Sequence, residues 1–109
     1  MERVCKVTEV QEGKMRGYTV KNSYILVANV NGKFYAVDSI CPHEGGYLPI
    51  GNLEKNIIIC PVHSSQYDVT TGKLVKDVSH LLKILTGRGS HDLNSYPVSV
   101  KDNDVYIEL

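Results

Sequence analysis

Alternation of apolar and polar positions, with a period of two, runs through most of the chain. Residues 3–7 and 18–20 carry β-branched and aromatic side chains at strand spacing, with Gly13 and Gly17 as breaks. Residues 24–30 and 33–37 flank Asn31-Gly32, a pair that accepts the positive φ values of a two-residue type I′ turn. The pattern therefore predicts a hairpin that delivers the chain to Cys41. Residues 56–60 are a short apolar run of the kind that forms a buried strand. Residues 66–69 and 73–75 flank Thr70-Thr71-Gly72, and residues 96–100 and 105–109 flank Lys101-Asp102-Asn103-Asp104, which gives two further hairpins. In the last, Val98 and Val100, and then Val105, Ile107 and Leu109, alternate with polar neighbours and are expected on an inward face. Short strands joined by polar turns predict an all-β fold, an antiparallel sandwich or small barrel.

One segment departs from that period. Within residues 77–87, Val78, Leu81, Leu82 and Leu85 fall at i, i+3, i+4 and i+7, one face of a short helix. Asp77 or Ser79 would cap its start and Gly87 its end. A strand through residues 81–85 is the competing reading. A helix this short must pack on the sheets to persist. Gly87-Arg88-Gly89-Ser90 then reads as a loop, without the flanking strand and helix of a phosphate-binding turn. No internal repeat is evident.

Composition narrows the function without naming it. A chain of 109 residues is expected to form a single domain, 1–109. Lys plus Arg equals Asp plus Glu, 12 each, so net charge gives no ground for nucleic acid or an anionic membrane as partner. The first twenty residues lack the apolar core of an export signal, and no run approaches transmembrane length, so a cytoplasmic location is expected. Three cysteines is too few, and an odd number, for a disulfide framework. Cys5 lies in an alternating segment and is expected to be a small buried hydrophobe.

The other two cysteines mark the densest chemistry in the chain. Cys41-Pro42-His43 and Cys60-Pro61-Val62-His63 each pair a thiol with an imidazole, and residues 44–59 separate them. In extended backbone, residues i and i+2 share a side, so Cys41 and His43 would face one ligand. Pro42 and Pro61 bias the preceding cysteines away from helix. Gly45 and Gly46 would let backbone amides approach a sulfide. Structural zinc is a rival, although such sites usually pair Cys with Cys and His with His. A thiol enzyme is another, but two Cys/His pairs in one small domain would be redundant. His80 and His91 lie outside the arms and take surface roles by default. Of the segment between the arms, Leu48 is expected in the core and Pro49, with Tyr47 and Ile50, on an apolar rim.

The pattern Cys-x-His, sixteen residues, Cys-x-x-His resembles the Rieske signature, and "CPHEGGYL" and "CPVHSSQYDVTTGK" are similar to the two cluster loops of Rieske-type ferredoxins. That resemblance implies a Rieske-like β scaffold with a cluster-binding subdomain inserted at about residues 38–76. It implies a [2Fe–2S] cluster with Cys41 and Cys60 on one iron and His43 and His63 on the other. Replacing two thiolates with neutral imidazoles makes the cluster easier to reduce, roughly −150 to +300 mV against about −400 mV for plant-type ferredoxins. In high-potential relatives a serine and a tyrosine after the second histidine donate hydrogen bonds to cluster sulfur, and Ser65 and Tyr67 match them. The disulfide of those relatives would join positions 46 and 62, which are Gly and Val here. Ser64 stands where the family often has glycine, and residues 77–90 replace its usual proline-rich loop. The implied function is a soluble one-electron carrier, not an enzyme, taking electrons from a flavin or iron–sulfur reductase to a terminal oxygenase. The alternative is a small Rieske subunit of a larger, nitrite-reductase-like oxidoreductase.

Overall fold

A computed structural model describes residues 1–42, 45–62, 64–77 and 90–109. Their strands form three antiparallel sheets. The central one runs β2 (Met15–Val20), β3 (Ser23–Val30), β4 (Lys33–Asp38) and β9 (Ser95–Tyr96). A three-stranded sheet sets β11 (Asp104–Ile107) between β1 (Glu2–Lys6) and β10 (Val98–Lys101). The third sheet, between β4 and β9 in the chain, is β5 (Asn52–Glu54), β6 (Ile57–Ile59), β7 (Gln66–Asp68) and β8 (Leu74–Lys76).

β3 is the element that explains this arrangement. Its sequence, Tyr-Ile-Leu-Val-Ala-Asn-Val, is apolar on both faces, as a strand covered from both sides must be. Ile25 and Val27 pack with Cys5, Val10, Ala36, Val105 and Ile107, on the side of the three-stranded sheet. Leu26 and Ala28 pack with Val37, Leu48, Ile58, Tyr67, Val69, Leu93 and both Cys41 and Cys60. One polar residue is buried in this strand. Asn29 is buried but satisfied, donating from Nδ2 to the Val10 carbonyl at 2.9 Å and accepting from the Gly32 amide at 2.8 Å. The second bond clamps the Asn31-Gly32 turn, where φ is 54° and 86° as the type I′ reading requires.

Several expectations shift. Gly17 is not a break but lies within β2, where a Cβ would stand 2.0 Å from the Tyr47 hydroxyl and 3.0 Å from Pro49 Cγ. It is glycine because the segment between the arms leans on the strand there. Lys21-Asn22 and Asp102-Asn103 form two-residue positive-φ turns, so β2 begins at Met15, ahead of the expected Tyr18, and Lys101 pairs with Asp104 rather than lying in a four-residue turn. Residues 96–100 are not one strand. The chain leaves β9, passes Pro97, and enters β10 in a different sheet. Proline has no amide for the first ladder, while its carbonyl accepts from Glu108 at 3.0 Å. β10 is an edge strand, so Val100 is exposed rather than inward, and Leu109 lies half exposed beyond β11. Leu53 and its neighbours form β5, a strand between the arms that the apolar pattern does not predict. Cys5 is buried as expected. The helix proposed for residues 77–87 lies outside the described residues after Asp77, as does the loop from Gly87 to Gly89.

Candidate metal centre

The two cysteine arms are built alike. Residues 41–46 are bracketed by the Ile40–Tyr47 bridge, and residues 60–65 by the Ile59–Gln66 pair that opens β7. In the first loop the Cys41 amide donates to the Gly46 carbonyl at 2.7 Å, and the Gly45 amide returns to the Cys41 carbonyl at 3.2 Å. In the second, the Cys60 amide donates to Ser65 at 2.8 Å and the Ser64 amide to Cys60 at 3.1 Å. The fifth residue of each loop turns left-handed, with φ of 70° at Gly45 and 60° at Ser64. The likeness of the two Cys-Pro arms in sequence thus extends to their backbone hydrogen bonds. These bonds also correct one expectation, because the Gly45 amide donates to the Cys41 carbonyl in its own loop rather than to a ligand. Ser64 adopts a conformation that favours glycine.

These loops carry their thiols into one core. Cys41 and Cys60 are each 2% exposed, in the cluster that contains Leu26, Leu48, Ile58 and Tyr67. All three cysteines are described and none is in a disulfide. Gly46 is where the loops touch. A Cβ there would lie 2.8 Å from Cys60 Sγ and 2.8 Å from Val62 Cγ2, closer than real Cβ atoms come, so the position requires glycine. The same imaginary atom is 3.5 Å from Val62 Cβ, which agrees with positions 46 and 62 being the disulfide pair of other relatives.

Tyr67 is fully buried and aims its hydroxyl at the first thiol, 3.0 Å from Cys41 Sγ. Burial pushes the phenol far above its ordinary pKa, and the Cys41 contact adds to this. The proton therefore stays on the oxygen and is available to donate to sulfur. The Ser90 hydroxyl is the second partner of this phenol. Sequence reading overlooked Ser90, which is separated from Tyr67 by 23 residues and carries no motif. Ser65 is 1% exposed, and its Oγ has no hydrogen-bond partner among the described residues. A buried hydroxyl left so is costly unless a further group meets it. Ser39, two residues before Cys41, is in the same position.

Two buried thiols on matched loops, a phenol directed at one of them, an unmet buried hydroxyl and a glycine contact between the loops fit a sulfur-rich group held by both arms. His43 and His63 lie outside the described residues, as does Glu44. Leu48 is buried as expected, in a 3-10 turn (Leu48–Ile50), with Pro49 half-buried and Tyr47, Ile50 and Val62 exposed around it. No helix among the described residues is long and apolar enough to cross a membrane.

Comparison with known proteins gives the same assignment. The chain is 30% identical over 103 residues to the ferredoxin component of a naphthalene 1,2-dioxygenase system of Pseudomonas putida, covering 94% of this chain and 89% of the relative. It is 32% identical over 107 residues to a 3-phenylpropionate/cinnamic acid dioxygenase ferredoxin subunit of Photorhabdus laumondii, covering 97% and 91%. Among solved structures, a Sphingomonas yanoikuyae B1 ferredoxin superposes with a TM-score of 0.82 at 26% identity, over 98% of this chain and 96% of that one. A chain in the complex of reduced oxygenase and oxidized ferredoxin in carbazole 1,9a-dioxygenase gives 0.80 at 28% identity, over 97% and 99%. The model of the Rieske [2Fe-2S] domain matches residues 1–96. With its paired cysteine loops on a three-sheet β scaffold, the chain belongs to the Rieske [2Fe–2S] family, among the ferredoxins.

Proposed function

We propose that this protein carries single electrons from a flavin or iron–sulfur reductase to the terminal oxygenase of a ring-hydroxylating system. Cys41 and Cys60 hold one iron of the cluster, and His43 and His63 hold the other. The bound cluster supplies the one-electron chemistry, taking up and releasing an electron without other change in the protein's covalent structure. Everything else is done by the chain. The matched loops fix both thiols in a dry core, which strengthens every charge interaction around them. Tyr67 donates to Cys41 Sγ, and the buried hydroxyl of Ser65 would be available to donate to a cluster sulfur. Both donors stabilise the more negative, reduced state and so raise the potential. The single chain of residues 1–109 acts as one domain, with residues from about 38 to 76 as the cluster-holding part. A cytoplasmic location accords with three cysteines kept out of disulfides.

The observation that carries this reading is the convergence of Cys41, Cys60 and the Tyr67 hydroxyl in one buried cluster. The partners follow from relatives of matching length that are named as ferredoxin components of dioxygenase systems. Iron and acid-labile sulfide analysis of the purified protein, with an EPR spectrum after reduction, tests the cofactor. Two irons, two sulfides and a Rieske signal are expected, and Cys41→Ser and Cys60→Ser each abolish it. Zinc without sulfide refutes the reading. Electron transfer from a reductase to an oxygenase that stops when this protein is omitted tests the role.

A further inference from the structure

Ser90 brings the chain downstream of β8 back to the first cysteine arm. Its hydroxyl meets that of Tyr67, which in turn lies 3.0 Å from Cys41 Sγ. Its backbone amide donates to Asp77 Oδ1 at 2.8 Å, and that bond fixes where the hydroxyl stands. The direction of the chain of hydrogen bonds follows from counting protons. A phenol has one proton to give, and a cysteine thiolate bound to iron has none. The Tyr67 proton therefore goes to Cys41 Sγ. Its oxygen is left as an acceptor, and Ser90 is the group placed to donate to it.

We propose that Ser90 is a positioning residue for the electron-transfer centre, donating from Oγ to the Tyr67 hydroxyl and strengthening that hydroxyl as a donor to Cys41 Sγ. The inference rests on Cys41 being a cluster ligand. Hydrogen bonds in series polarise one another, so a phenol that accepts one donates a stronger one. The stronger donor favours the reduced cluster. The hydroxyl of Ser90 meets that of Tyr67, so its influence on Cys41 Sγ is expected to pass through Tyr67. A serine that merely anchored the chain to Asp77 would have no such dependence.

Redox titration of the purified holoprotein, followed by visible circular dichroism, tests this on wild type, Ser90→Ala, Tyr67→Phe and the double variant. Ser90→Ala is expected to lower the potential, by less than Tyr67→Phe does. In the Tyr67→Phe background the same change is expected to have no effect. Ser90→Thr keeps the hydroxyl and should stay at the wild-type value. Resonance Raman bands of the iron–cysteine bonds should move with the potential in the same order. An unmoved potential in Ser90→Ala, or an equal shift in both backgrounds, overturns the proposal. Should Ser90→Ala not retain its cluster, Ser90→Cys, nearly the same size and a weak donor, takes its place with the same expectations. A wild-type protein without iron and sulfide overturns this proposal together with the assignment of Cys41. A normal Rieske spectrum with an unmoved potential overturns the role of Ser90 alone.

Discussion

At the scale of single residues, the cysteine arms combine strain, crowding and unmet polarity in a small volume. Ser64 holds φ of 60° at the loop position that Gly45 fills in the other arm. A left-handed conformation costs a residue with a Cβ about 1–2 kcal/mol, part of which glycine gives back as entropy in the unfolded chain. Ser64→Gly is therefore expected to stabilise the protein by up to about 1 kcal/mol in denaturant unfolding. A loss would mean that the serine side chain makes a compensating contact. Ser65, next along, is buried with its hydroxyl unmet among the described residues. If that hydroxyl serves a cluster sulfur, Ser65→Ala lowers the reduction potential while leaving the cluster content intact. An unchanged potential would make it a turn residue only. The Tyr67 contact with Cys41 sulfur was legible in the sequence because Tyr67 follows Cys60-Pro61-Val62-His63 at short fixed spacing. Ser90 was not, because a contact across 23 residues leaves no local trace.

At the scale of elements, β3 serves two cores at once, and its alternate residues separate two kinds of damage. Leu26 and Ile25 are both fully buried, on opposite faces. Truncating either to alanine is expected to cost about 2–5 kcal/mol. Only Leu26→Ala, which opens a cavity beside Cys41 and Cys60, should also alter the visible spectrum of the holoprotein. Ile25→Ala should leave it unchanged. The β7–β8 turn carries a pH-dependent share of stability. Burial raises the Asp68 carboxyl, but hydrogen bonds from the Thr70 hydroxyl and amide and from Asn56 outweigh it, so its pKa is lowered. A lowered native pKa stabilises the fold above the ordinary aspartate value of about 3.9, and that contribution disappears as pH falls through the native value. The stability gap between wild type and Asp68→Asn is thus expected to be full near neutrality and to close in acid. A gap independent of pH would show that the carboxylate charge is not what matters.

At the scale of the whole molecule, the central sheet has a different layer on each face. On one, the β1, β10 and β11 sheet closes an ordinary hydrophobic core. On the other, the core includes both thiols, and under the proposed function the bound cluster would complete it. Binding energy at such a site is also folding energy for the elements that form it. Removing iron by chelation under reducing conditions is expected to lower amide protection in β5 to β8 first. Protection in β1, β10 and β11 should persist to higher denaturant. Uniform loss would show that the two layers unfold as one unit.

Much of this was legible along the chain. Hairpin turns such as Asn31-Gly32 are local, because the positive φ belongs to the residue pair itself. The Cys/His arms are local too, and their spacing was enough to identify the family. What tertiary structure decided is everything that depends on a second segment arriving. Gly17 reads as a break but is a contact point for Tyr47 and Pro49. Residues 96–100 read as one strand but change sheets at Pro97. The alternation at Val100 and Leu109 promised burial that an edge strand and a chain end do not provide. The two arms are alike in sequence, but their matching backbone hydrogen bonds appear only in the folded chain. Side-chain periodicity records which faces are apolar. Only the folded chain decides which of those faces find a partner.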